Sequence, residues 1–239
     1  ISRGGQREGF DFQIAFELAQ QLGAKRVEIV EGDYDDLPDL VATDKADIIM
    51  GGYVADPSIE GIVWSNGYLD FGLCLIVKQG SAIKEVKHLA GKKVGIYEDP
   101  AAKEWLETNV PSTRSIEEFQ YTGWFKELDQ GNVDAIVYDY PFAVEEMKPF
   151  PRLKIVKLNL NESEYAIGVP ARNDDLLDAV NTGLASLVAS PEFEGWVKQY
   201  LATEAVETAP LAKGTKTYVV KSGDSRWSIA RAQLGSTDG

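Results

Sequence analysis

The chain has few of the residues that carry covalent or metal chemistry: one cysteine, one histidine and two methionines in 239 residues. A single cysteine excludes an intramolecular disulfide, and Cys74 lies inside the apolar run FGLCLIV, where it reads as a buried, inert thiol. The one histidine, His88, stands in the polar approach to a strand with no adjacent serine or cysteine in a nucleophile pattern, so it reads as a solvated surface residue. No hydrolytic triad, Cys/His metal spacing or dinucleotide fingerprint is present, and Gly91-Lys92-Lys93 does not make a Walker loop. No metal or other cofactor is therefore expected. Apolar runs stay below the roughly 18 residues that span a bilayer, and the opening ISRGGQREG lacks the apolar core of a signal peptide. Positive charge is scarce too: 24 Lys and Arg against 38 Asp and Glu give a net charge of −14, which disfavours nucleic acid and anionic membranes as partners.

What is present is enough apolar residue, 44%, to bury a substantial core in one large domain or two small lobes. A helix-to-strand phrase occurs twice, as DLVATDKADIIMGG (residues 39–52) and as ELDQGNVDAIVYDY (residues 127–140). In each copy an amphipathic helix ends in a polar turn, an Asp follows (Asp47, Asp134), and a short apolar run reads as a parallel strand. Two similar α/β lobes would bring the carboxyl ends of these strands, Gly51-Gly52 and Asp139-Tyr140, to a shared crevice, where α/β proteins bind ligands.

The spacing of Phe12, Ala15, Phe16, Ala19 and Leu22 predicts a helix over about 11–22, with Gly23 as its C-cap. Strands are expected at 27–30 and 47–50 with a short helix at 37–42 between them. Gly72–Val77 and Tyr165–Val169 read as a pair of hinge strands. Between them lie expected strands at 93–97, 135–138 and 153–158 and helices at 100–108 and 124–130. Amphipathic helices at 174–188 and 191–201 then return to the first lobe. The organisation is a first lobe of residues 1–76 and 170–201, a second of 77–169, a linker over 202–216 and a small C-terminal segment over 217–239.

Gly9-Phe10-Asp11 before the first helix, Leu40 to Asp47, Trp64-Ser65-Asn66-Gly67-Tyr68 before the hinge, LAGKKVG (residues 89–95) and LDQGNVDA (residues 128–135) stand in an order and spacing that resembles the family 3 solute-binding proteins. These are the amino-acid-type receptors of ABC importers, with a two-lobed type II periplasmic-binding-protein fold. The family opens with a strand and an aromatic-rich loop that line the cleft; the chain starts after them, so the N-terminal strand and part of the site are expected to be missing. YVVKSGDSRWSIA in the tail looks like the first half of a LysM module, which binds glycans such as peptidoglycan, with Arg226 where such modules carry an apolar residue.

The resemblance also implies a site. Family members clamp a ligand α-carboxylate with an Arg after the first-lobe strand, because guanidinium matches carboxylate geometry. The corresponding loop, YVADPSIEG (residues 53–61), has no Arg or Lys. A Gly-Thr or Gly-Ser turn usually helps at a helix N-terminus of the second lobe; here the sequence is Glu98-Asp99-Pro100-Ala101, with Asp99 as N-cap and acidic side chains that repel an anion. Asp139 falls where the family places the acid that accepts the ligand ammonium, and Tyr34, Tyr53, Tyr68, Tyr97 and Tyr140 are candidate cation–π faces. Two readings stay open: Asp139 caps the helix entered at Pro141 and the tyrosines are packing, or they hold a cationic nitrogen. Gly51 and Gly52 likewise admit a ligand to the backbone or serve a tight turn.

The resulting expectation is a non-catalytic, exported receptor, monomeric, that closes around a small polar, amine-bearing solute and delivers it to an ABC permease. The alternatives are a cell-wall sensor bound to peptidoglycan through a complete LysM module, and a dehydratase-like enzyme on the same fold.

Overall fold

The computed structural model describes residues 2–3 and 6–201; the expected linker over 202–216 and LysM-like segment over 217–239 lie outside the described residues. Two short strands, β1 (Ser2–Arg3) and β2 (Gln6–Arg7), pair antiparallel ahead of helix α1 (Phe10–Gln21). Phe10, Ile14 and Leu18 recur at four-residue spacing and form the buried stripe of α1. Helix α2 (Leu37–Ala42) follows, started by Pro38 in its first turn. Strands β3 (Ile62–Trp64) and β4 (Leu69–Phe71) lead into β5 (Leu73–Lys78). Next come β6 (Lys93–Tyr97), α3 (Pro100–Asn109), β7 (Ser115–Phe119), α4 (Lys126–Gln130), β8 (Ala135–Asp139), α5 (Tyr140–Glu146) and β9 (Leu153–Lys157). The described chain ends with β10 (Ser163–Tyr165), β11 (Gly168–Pro170), α6 (Asp174–Val188) and α7 (Pro191–Leu201).

The second lobe is one five-stranded sheet in the order β7-β6-β8-β5-β9. It is mixed: β6 runs parallel to both β7 and β8, whereas β5 runs antiparallel to β8 and β9. Successive side chains of a strand point to opposite faces. Leu73, Leu75 and Val77 of β5 therefore enter one core with Val94, Ile96 and Leu106. Cys74 and Ile76 enter the other with Trp124, Phe125 and Ile136. Both faces are covered, which is why the apolar run FGLCLIV is continuous rather than alternating.

The first lobe is built differently. α1, α6 and α7 pack around Tyr68, Leu69, Phe71, Tyr165, Ile167 and Val169 in one core, and Val41, Ile49, Tyr53 and Ile62 form a second, smaller one. At Gly183 of α6 an added Cβ would stand 2.5 Å from the Leu18 side chain, so a glycine there lets α1 approach closely. Among the described residues its strands join only in antiparallel pairs, β1 with β2, β3 with β11 and β4 with β10. The two strands expected from sequence at 27–30 and 47–50 are not formed. Residues 27–30 are irregular, with Val30 46% exposed, and 47–50 keeps a single bridge, Ile49 to Gly168. A strand exists only where a neighbour completes its ladder, and among the described residues none pairs with 27–30.

β5 lies wholly in the second sheet, while Tyr165, Ile167 and Val169 lie in the first core. The chain thus crosses between lobes at Gly72 and again between Lys157 and Ser163. The two crossings touch: Asn161 Oδ1 accepts from the Leu73 amide at 2.6 Å, and a Cβ on Gly72 would collide with the Asn161 carbonyl.

Candidate functional site

β8 delivers Asp139 to the carboxyl edge of the second sheet, where it becomes the N-cap residue of α5. Its side chain makes no capping hydrogen bond, so capping does not account for it. Burial, and then the charge of Asp99, push its carboxyl up to about 7. Asp99 itself caps α3, accepting the Ala101 amide at 2.8 Å with Pro100 in the first turn, as its sequence context suggests. Facing these acids from the first lobe is Tyr34, whose hydroxyl is pushed up to about 12 by burial and by Asp139, Asp35 and Asp99. Its ring stacks on Tyr53 at 4.2 Å and 5°; the Tyr53 hydroxyl donates to the Tyr34 carbonyl, and the Tyr34 hydroxyl donates to the Gly52 carbonyl at 3.4 Å.

At Gly52 the first lobe packs against α5 of the second. The Gly52 φ of 82° is left-handed, and an added Cβ would stand 2.8 Å from the Phe142 ring of α5 and 3.3 Å from Tyr165. Gly51, with φ 131°, has open space where a Cβ would be, so its backbone is accessible on that side.

The structure therefore brings Asp139, Asp99, Tyr34, Tyr53, Gly51 and Gly52 together and engages the remaining candidates in packing or hydrogen bonds of their own. Tyr68 is 2% exposed with its hydroxyl donating to Asp11 Oδ1 at 2.9 Å, so it packs in the first core and offers no free face. The Tyr140 hydroxyl donates to the Leu201 carbonyl and ties α5 to α7. Tyr97 packs against Trp124 and Tyr138 on the second core. His88 is occupied as a cap, its Nδ1 accepting the Lys84 and Glu85 amides at 3.2 Å.

Three residues that sequence reasoning missed join the site. Asp11, in the first turn of α1, is a buried carboxyl pushed up by desolvation against the opposing effect of the Tyr68 hydroxyl. Tyr165 is 3% exposed, and its hydroxyl is raised by burial and then by the charges of Asp139 and Asp11. Phe142 closes over Gly52. Among the described residues, the charges that shift Asp139, Tyr34 and Tyr165 are carboxylates and phenols, with no cation among them. A group of half-buried acids without a compensating cation raises carboxyl pKa values and lowers them again when a cation enters.

Residues 1–203 match the family of bacterial extracellular solute-binding proteins, family 3. The chain belongs to that family. It is 26% identical over 187 residues to the L-cystine-binding protein TcyJ of Escherichia coli, covering 77% of this chain and 70% of that protein. A solved ancestral cationic amino acid solute binding protein superposes with TM-score 0.72 at 25% identity, covering 84% of this chain and 89% of that one. An ancestral arginine-binding protein bound to arginine gives TM-score 0.67 at 25% identity, covering 84% and 91%. The fold is accordingly the two-lobed α/β architecture of periplasmic binding proteins.

Proposed function

We propose that this solute-binding protein is the receptor of an ABC importer for an amine-bearing solute, an amino acid or a close analogue, captured outside the cytoplasmic membrane. Its lobes close over the ligand by pivoting where the chain crosses at Gly72 and between Lys157 and Ser163. The observation that carries the reading is Asp139, a partly buried carboxylate at a helix start that it does not cap, beside Asp99 and with no cation among the described residues shifting it. An ammonium group entering between the lobes would make charge-assisted hydrogen bonds to Asp139, with the stacked Tyr34–Tyr53 pair as an aromatic wall. Relatives described as binding cystine, arginine and cationic amino acids support the solute class. The absence of Arg and Lys from residues 53–61 argues that the ligand carboxylate is not clamped by guanidinium. The relatives described as binding proteins favour a non-catalytic role, and in this reading the one histidine serves a turn and the one cysteine is buried with its thiol pushed up by desolvation.

The test is a thermal-shift screen at pH 8 with basic and neutral amino acids, cystine and simple amines. A ligand at a hundred times its dissociation constant adds about 2.7 kcal/mol of stability, so an amine-bearing compound should raise the Tm of the wild-type protein, and Asp139→Ala should abolish that rise. Equal stabilisation of the variant would remove the ammonium assignment.

A further inference from the structure

The crevice follows from the two-lobed fold; what is particular to this chain is how α3 begins. β6 and β8 are parallel neighbours, with Val94 opposite Ala135 and Gly95 opposite Ile136. Continued to the carboxyl ends, that register sets Glu98 and Asp99 beside Asp139, and the charge of Asp99 is felt both at Asp139 and at Tyr34 of the first lobe. A helix starting at such an edge ordinarily offers its first amides to an anion. In α3 that capacity is already used. Pro100 has no amide hydrogen, the Ala101 amide donates to the Asp99 carboxylate at 2.8 Å, and the Lys103 amide donates to the Asp99 carbonyl at 3.1 Å. The Lys103 ammonium, one turn on, donates to Glu118 at 2.7 Å. Across the crevice, residues 53–61 hold no Arg or Lys, and Asp35 adds its own charge at Tyr34.

Resting on the receptor reading above, we propose that Asp99 is the specificity-determining residue of the crevice and restricts the solute to amino acids that carry a second positive charge on the side chain. The α-ammonium takes Asp139, and the side-chain cation takes the Asp99 carboxylate, whose Oδ1 keeps its bond to Ala101 while Oδ2 receives the ligand. The selection is electrostatic. In a neutral zwitterion only the α-carbon separates carboxylate from ammonium, so two adjacent acids attract one end and repel the other by nearly the same amount. The start of α3 does nothing to offset that repulsion, because its amides already serve Asp99. A solute with a cationic side chain gains an attraction that the zwitterion lacks, and one with an acidic side chain is excluded. The aromatic wall points the same way independently of the acids. Tyr34 is 51% exposed although Tyr53 stacks on its ring at 4.2 Å, and its hydroxyl is tied to the Gly52 carbonyl at 3.4 Å, so aromatic surface is held open to a cation beside Asp99.

The experiment is isothermal titration at pH 8 of the whole chain with lysine and arginine, with norleucine and citrulline as their counterparts of similar shape and uncharged side chain, and with glutamate. Lysine should bind at least about tenfold tighter than norleucine, or arginine than citrulline, the size of one charged hydrogen bond, and glutamate should not bind. Which pair shows the preference separates an ammonium from a guanidinium. Asp99→Asn keeps a side-chain oxygen for the Ala101 amide, so its Tm should hold; it should weaken binding of the basic amino acid, strengthen binding of the neutral one and erase most of the preference. Asp99→Ser, an equally good cap, should do the same, which ties the effect to charge. Equal affinity within both pairs, or Asp99 variants that keep the wild-type preference, overturns the assignment while leaving Asp139 as an ammonium site. Tighter binding of glutamate than of lysine and arginine also overturns it. Failure of the receptor reading looks different: no amino acid would bind the wild-type protein, or Asp139→Ala would bind each of them as the wild type does.

Discussion

The two lobes differ in how their backbones are held. In the second, five strands share one ladder with an apolar layer on each face; in the first, three helices and a set of aromatic side chains carry the core, and the strands join only in pairs. The second lobe resists local opening because each central strand is pinned on both sides. The first can shift helix against helix without breaking a ladder, and it contributes Tyr34, Tyr53, Gly52 and Asp11 to the site. On the proposed reading, ligand energy would fall where the protein is least constrained, as expected when binding segments are drawn from the less stable part of a structure.

The sharpest way to break this comparison is to delete matched side chains. Leu75, fully buried at the centre of β5, should cost about 3–5 kcal/mol on conversion to Ala. Ile49, at an isolated bridge to Gly168 in the first lobe and clustered with Val41, Tyr53 and Ile62, should cost about 2 kcal/mol because looser surroundings can collapse onto the gap. Urea midpoints at constant m measure both. Equal losses would show that the first lobe is as tightly organised as the second.

The site itself gives the next largest effect. Asp139 titrates near 7 in the folded protein against 3.8 ordinarily, so the unfolded chain gives up this proton first as pH rises. Stability contributed by the protonated group is complete below about pH 4 and is lost progressively up to about pH 7. Asp139→Asn avoids that loss: it should match the wild type at pH 4 and exceed it at pH 8 by on the order of 2–4 kcal/mol, or roughly 5–10 °C in Tm. The same variant should not respond to amines. In the wild type a bound ammonium favours the ionised carboxylate, so amine affinity should rise from pH 6 to pH 8. A variant with no stability gain at pH 8 would show that Asp139 is solvated in the free protein.

These lobes were not equally legible in the sequence. Helices α6 and α7 fall at 174–188 and 191–201, where apolar periodicity put them; the run read as a hinge strand over 72–77 instead forms β5 from Leu73 on, wholly within the second sheet, and the crossing is left to Gly72. β7 escaped notice because SIEEF is half polar: it is an edge strand, covered less than its neighbour β6. Asp139 and Asp99 were readable because each sits at a strand-to-helix junction with a recognisable local pattern. Tyr165, Asp11 and Phe142 were not, since each acquires its role from residues far along the chain: Tyr165 from Gly52 and Asp139, Asp11 from Tyr68, and Phe142 from Gly52. Local pattern marks where a chain turns, and it says little about which turns meet.

Val30 offers the smallest and most diagnostic measurement. The run at 27–30 has strand composition, and in a completed sheet a central Val exchanged for Thr would lose packing and bury a hydroxyl at a cost of about 1–2 kcal/mol. In the structure this residue is 46% exposed and outside any ladder, so Val30→Thr should change stability by less than about 0.5 kcal/mol. The variant isolates ladder formation because Thr keeps the β-branched shape of Val and alters only the hydroxyl. A near-zero effect would place the weakness of the first lobe in its unpaired strands. A full cost of 1–2 kcal/mol would mean that 27–30 is packed in solution, so the two lobes would be more alike than their ladders indicate.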